Sequence, residues 1–94
     1  MMITLPRDDL QKQEILHKIA KAFKQGNNYT EPEVNAIVKS FSVDDHILFR
    51  RELVNFNYLG KDSYKGIYWL KKDTLSDEEL KRIKRNQTTL DQEE

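Results

Sequence analysis

Residues 29–69, YTEPEVNAIVKSFSVDDHILFRRELVNFNYLGKDSYKGIYW, leave few folds open to this chain. They hold two helix signatures almost back to back, then two aromatic and β-branched segments around a short loop. The first helix has a strong start. Thr30 is spaced to accept a hydrogen bond from the Glu33 amide while the Glu33 carboxylate reaches back to the Thr30 amide, a capping box. Tyr29 and Val34 flank that cap as a hydrophobic staple, and Pro32 fits because first-turn amides have no intrahelical partner. Val34, Ile37, Val38 and Phe41 recur at spacings of three, one and three, which predicts a buried stripe on a helix ending near Ser40.

The second helix follows at once. Ser42 and Asp45 form a weaker capping box, with Asp44 as a rival cap. Leu48, Phe49, Leu53 and Phe56 make its expected inner face. Arg50 and Arg51 are adjacent, so about 100° of helix separates them and they cannot share one role. Two helices so closely joined suggest a helix-turn-helix. Residues 56–61 and 67–71 then flank the loop Asp62-Ser63-Tyr64-Lys65-Gly66, which is short and ends in glycine as a hairpin turn does. Tyr58, Leu59, Tyr68, Trp69 and Leu70 supply the packing of that hairpin.

The flanks complete the architecture. Residues 1–5 are an apolar lead-in, read as an edge strand or a packed arm. Pro6, Asp8 and Asp9 start a helix expected to run from Asp8 to Lys24, with Leu10, Ile15, Leu16, Ile19, Ala20 and Phe23 as its apolar positions. Lys12, Lys18, Lys21 and Lys24 read as its solvated face, and Gly26 as its C-terminal cap. At the other end Ser76 and Glu79 form a third capping box, with Leu75 and Leu80 as staple. The helix that follows, over residues 77–85, has Leu80 and Ile83 as anchors and is too short to persist alone, so it must dock or pair. The sequence from Asn86 onward is expected to fray. The expected fold is therefore α+β and winged-helix-like: three helices, a two-stranded hairpin wing and a short C-terminal helix. Residues 1–75 form the domain, and 76–94 form the terminal helix with an acidic tail.

Composition narrows the function. With 94 residues, 37% hydrophobic and 34% charged, the chain has one core and a solvated surface. It has no cysteine, hence no disulfide, thiolate metal site or cysteine nucleophile. No signal peptide or membrane span is visible, which points to the cytoplasm and away from a membrane partner. His17 and His46 lack metal-ligand spacing, and capping accounts for Asp44, Asp45 and the acids at 77–79. There is no glycine-rich phosphate loop and no nucleophile–base pair, so neither an enzyme nor a cofactor is expected.

The formal net charge is zero, yet from His46 to Lys72 six basic residues are opposed only by Glu52 and Asp62. On the functional reading one of Arg50 and Arg51, together with Asn55, faces a nucleic acid from the second helix of the pair. Lys61, Tyr64, Lys65, Lys71 and Lys72 would touch phosphates from the wing. The competing reading ties one arginine to Glu31 or Glu33, has Asn35 bond locally, and makes the lysines guards of an exposed strand edge. The partner is then DNA or, alternatively, a protein bound without DNA. Specific DNA binding by so small a module calls for a dimer, for which the C-terminal helix is the candidate.

The central block also resembles the bacterial domain-of-unknown-function family 2087. Tyr29-Thr30-Glu31-Pro32-Glu33-Val34-Asn35 carries the first part of its pattern. Asp45, Arg50-Arg51 and Leu53-Val54 carry the middle, and Gly66-Ile67-Tyr68-Trp69 the close. Phe49 stands where that pattern has leucine, and Lys61 where it has arginine in the hairpin. Domains of this family occur alone or behind helix-turn-helix modules of bacterial regulators, so the resemblance implies a transcription-associated role. It names no ligand.

If Thr30 is the cap of its helix, Thr30→Ala should lower stability by about 0.5–2 kcal/mol without changing the urea m-value, measured by equilibrium unfolding.

Overall fold

A computed structural model describes the backbone of residues 2–93 and the side chains of residues 2–85. Along the chain it contains α1 (Asp9–Ala20), β1 (Asn28–Thr30), α2 (Glu31–Lys39), α3 (His46–Asn55), β2 (Leu59–Asp62), β3 (Ile67–Leu70) and α4 (Asp77–Glu93). Among the described residues this is an α+β fold of four helices and an open three-stranded sheet, broadly winged-helix-like. The two-stranded wing expected from the sequence is corrected to a three-stranded sheet in the order β1-β3-β2. β3 pairs antiparallel with both neighbours, so that Tyr68 lies opposite Tyr29 on one side and Lys61 on the other.

β1 explains why α1 stops early. The helix ends at Ala20, with Lys21 as its cap, and not at Lys24. Beyond it Ala22 and Phe23 donate to the carbonyls of Ile19 and Ala20, three residues back, which tightens the turn and carries Phe23 into the core. Tyr29 meets Phe23 edge-on at 5.1 Å, and its hydroxyl accepts from the Lys24 amide. The ring expected to staple α2 thus sits in a strand and also closes off the α1 turn. Gly26, at φ +85°, belongs to the turn leading into β1 and is not the helix cap.

The capping box at Thr30 is present. Glu33 N donates to Thr30 Oγ1, and Thr30 N donates to Glu33 Oε1 at 2.9 Å. Hydrogen bonds from Thr30 hold the Glu33 carboxyl below its ordinary range. α3 is capped by Asp45, whose side chain accepts from the Leu48 amide; Ser42 is not its cap. Ser42 lies instead in the left-handed region, at φ 59°, within the connection between α2 and α3. The N-terminal arm braces that connection. Ile3 bridges Val43 in parallel, donating to the Ser42 carbonyl at 2.7 Å and accepting from Asp44 N at 2.9 Å.

The core gathers Leu16, Ile19 and Ala20 of α1, Val34 and Val38 of α2, Phe49 and Leu53 of α3, and Tyr58, Leu59, Tyr68 and Leu70 around the sheet. Leu48 does not join Phe49 and Leu53 as expected but is 38% exposed. Lys12 departs from the solvated face assigned to it. It pairs with Asp9 at 3.0 Å and with Glu52 of α3 at 3.6 Å, and lies 5.9 Å from the Phe56 ring centroid. Burial disfavours its charge, but the two carboxylates outweigh that and raise its pKa.

α4 packs on α1, with Leu80 and Ile83 against the core and Leu75, just ahead of the helix, buried in it. Its start shows the expected reciprocal bonds between Ser76 and Glu79. Lys72 pairs with Glu79, and His17 of α1 bonds the Asp73 carbonyl. The helix backbone continues past Arg85, where its end was expected, to Glu93. The side chains of the acidic tail lie outside the described residues.

One buried polar contact was not foreseen. Tyr58, 1% exposed, donates from its hydroxyl to Gln13 Oε1 at 2.7 Å, and Gln13 Nε2 donates to the Asp9 carbonyl. Burial, and then the charge of Glu79, push the Tyr58 phenol up to about 12. Tyr58→Phe keeps the ring but strips Gln13 Oε1 of its donor. A loss of about 1–3 kcal/mol in urea unfolding is expected, with the fold retained by circular dichroism.

Candidate nucleic-acid interface

The candidate contact residues come from two elements that meet along one edge. On α3, residues four apart share a face, so Ile47, Arg51 and Asn55 form an outer stripe with Leu48 beside it. All four are exposed. Phe49 and Leu53 fix the opposite side of the helix in the core, which sets the direction in which Arg51 and Asn55 project. The second element is the hairpin. Asp62 accepts from the amides of Tyr64 and Lys65, and Gly66, at φ +68°, donates back to the Asp62 carbonyl at 2.8 Å. The tip is therefore a built turn, with Tyr64 99% exposed.

Between α3 and the hairpin lies a cleft of about 210 Å³ lined by Arg50, Arg51, Val54, Asn55, Lys61 and Tyr68. Four of the eight candidate residues converge there, and no carboxylate lines it. Arg50 is spent on structure. Its guanidinium donates to Asn35 Oδ1 at 2.6 Å and pairs with Glu31 at 3.2 Å, tying α3 to α2. Asn35 thereby finds the local partner expected for it. Arg51, one position on, points elsewhere and has no carboxylate within salt-bridge distance among the described residues. Lys61 is held 5.6 Å from the Tyr68 ring centroid, and Tyr68 in turn donates to Glu31 at 3.5 Å.

The remaining candidates lie apart from the cleft. Tyr64 and Lys65 are in the hairpin tip. Lys71 and Lys72 follow β3 at the other end of the hairpin, where both amides donate to the Tyr58 carbonyl. Lys72 is engaged by Glu79 of α4, which holds that carboxyl below its ordinary range; Lys71 is exposed. Tyr68 and Val54 complete the cleft without having been singled out as contacts. Asp62 pairs with Ile67, so the loop is one residue shorter than the sequence suggests, and this register sets Tyr68 directly across from Lys61. Among the described residues no group of three or more His, Asp or Glu side chains is gathered to hold a metal ion, and no helix is long and apolar enough to cross a membrane.

The two arginines should separate in their effects. Arg50→Ala is expected to lower stability by about 1–2 kcal/mol. Most of that comes from the charged hydrogen bond to Asn35, because Glu31 is half exposed and its pair with Arg50 is screened. Arg51→Ala should stay within about 0.5 kcal/mol of the parent, as surface substitutions do. Thermal melts of the two variants check this.

Compared with known proteins, residues 1–70 match the family described as "Uncharacterized protein conserved in bacteria (DUF2087)". No curated protein and no solved structure matches the chain. The match takes in every element from α1 to β3 and stops at Leu70, ahead of α4. The chain belongs to the DUF2087 family.

Proposed function

We propose that this DUF2087 chain is a nucleic-acid-binding, transcription-associated protein of the cytoplasm that works without catalysis. Its contacts are to the phosphate backbone, through Arg51 and Asn55 of α3 and the adjoining hairpin. The observation that carries this is the convergence of Arg51, Asn55 and Lys61 on a cleft with no carboxylate in its lining. Backbone contacts need only fixed positive charge and donors, and these supply both. Lys65 and Tyr64 extend the same chemistry to the hairpin tip. Docking of that kind positions a protein without reading sequence. Any sequence preference would then come from a second copy, since one module of this size covers little DNA.

A second reading has its own support. The N-terminal end of α3 exposes Ile47 at 49% and Leu48 at 38% beside the acids Asp44 and Asp45. Apolar side chains flanked by carboxylates suit a protein partner better than a phosphate backbone. The two readings place the contact at opposite ends of one helix.

Binding of the full chain to a mixed-sequence DNA duplex over a salt series decides between them. A nucleic-acid contact predicts affinity falling with a slope of about −2 to −4 in log K against log salt, the range for a few neutralised phosphates. Absence of binding even at low salt ends the nucleic-acid reading and leaves the protein-partner one.

A further inference from the structure

We propose that the cleft between α3 and the hairpin is a discrete phosphate-binding site, in which the Arg51 guanidinium, the Lys61 ammonium and the Asn55 amide hold one phosphoryl group. This rests on the reading of that face as a polyanion contact and names the group it grips. At about 210 Å³ the cleft has room for a phosphoryl group and the few atoms attached to it. Its charge is set by a division of labour. Glu31 offsets Arg50, which also bonds Asn35, whereas Arg51 and Lys61 have no carboxylate within salt-bridge distance among the described residues. The uncompensated charge amounts to two positive units, matching the one to two negative charges of a phosphodiester or phosphomonoester.

Geometry favours a tetrahedral anion over a planar one. A carboxylate is satisfied by one arginine fork, but a phosphoryl group offers acceptor oxygens in several directions. Here the donors come from two walls: Arg51 and Asn55 from α3, one helical turn apart on the same face, and Lys61 from β2. The site is also partly organised before any ligand arrives. Lys61 rests over the Tyr68 ring, and Tyr68 is held in place by its burial, at 2% exposed. A lysine held in this way loses less freedom on binding than a free surface lysine. Val54 gives the cleft one apolar wall, suited to the carbon face of a sugar or other alkyl ester group.

A nucleic-acid backbone and a free phosphorylated small molecule present the same phosphoryl chemistry, so the test has two arms. In the first, the ¹⁵N-labelled full chain is titrated with inorganic pyrophosphate at constant ionic strength. Chemical-shift changes centred on Arg51, Asn55, Lys61 and Tyr68 are expected, lost in Arg51→Ala and partly restored in Arg51→Lys, which keeps the charge without the fork. In the second arm, the duplex salt series is repeated with Arg51→Ala and Lys61→Ala, each expected to reduce the slope by about one. Pyrophosphate shifts without duplex binding uphold the pocket, assign it to a free phosphorylated molecule and end the nucleic-acid reading. Duplex binding whose slope neither variant changes, with no pyrophosphate shift in the cleft, overturns the pocket while the nucleic-acid reading stands. No response in either arm overturns both.

Discussion

β3 has a neighbour on each edge, and the rest of the molecule is arranged around that fact. Tyr68 pairs with Tyr29 of β1 and with Lys61 of β2, so one strand joins the segment before α2 to the hairpin after α3. Thr30 ends β1 and also caps α2, which makes the helix begin where the strand stops. Glu31, the first residue of that helix, then reaches both Arg50 of α3 and Tyr68 of β3. Arg50 also bonds Asn35, so two residues of α2 hold α3, and the shared core joins both helices to the sheet. The direction in which Arg51 projects follows from the burial of Phe49 and Leu53, and that of Lys61 from its place opposite Tyr68.

What could be read in the sequence was mostly local. The boxes at Thr30 and Ser76 and the turn over residues 62–66 close on partners a few residues away, and chain chemistry alone specifies them. β1 was hidden for the opposite reason. It is three residues long, its partner is Tyr68, and its last residue carries a stronger helix signal. The early end of α1 follows from the same distant pairing, because Phe23 turns inward to meet a ring that β1 holds in place. Lys12 looked solvated since nothing in its own helix reveals that Glu52 lies beside it. In the candidate site the residue types were legible but their division was not. That Arg50 turns to α2 while Arg51 does not depends on how α3 packs, and the engagement of Lys72 depends on where α4 docks.

The balance of charge takes on a spatial meaning in this light. The chain is neutral overall, but many of its acids are committed: Asp8, Asp45, Glu33 and Glu79 at helix starts, Glu31 and Glu52 in pairs between elements. Hydrogen bonds and charge partners hold Glu33 and Glu79 below the ordinary carboxylate range. The stability they lend is present above the unfolded-state pKa and fades as pH falls through the folded-state value. With those acids occupied, Arg51 and Lys61 are left without a carboxylate in salt-bridge distance among the described residues. Neutrality of the whole thus coexists with a cationic cleft.

Gly60 stands opposite Trp69 in the β2–β3 register, and any side chain there would collide with the indole. Alternation along β3 places Trp69 on the opposite face from Tyr68, away from the cleft. As the one tryptophan in the chain, it is a native optical label seated against the backbone of its own hairpin. Its emission reports whether β2 and β3 are paired, since the indole lies against the Gly60 backbone. The clearance that Gly60 leaves for the indole therefore gives the molecule a built-in gauge of hairpin integrity.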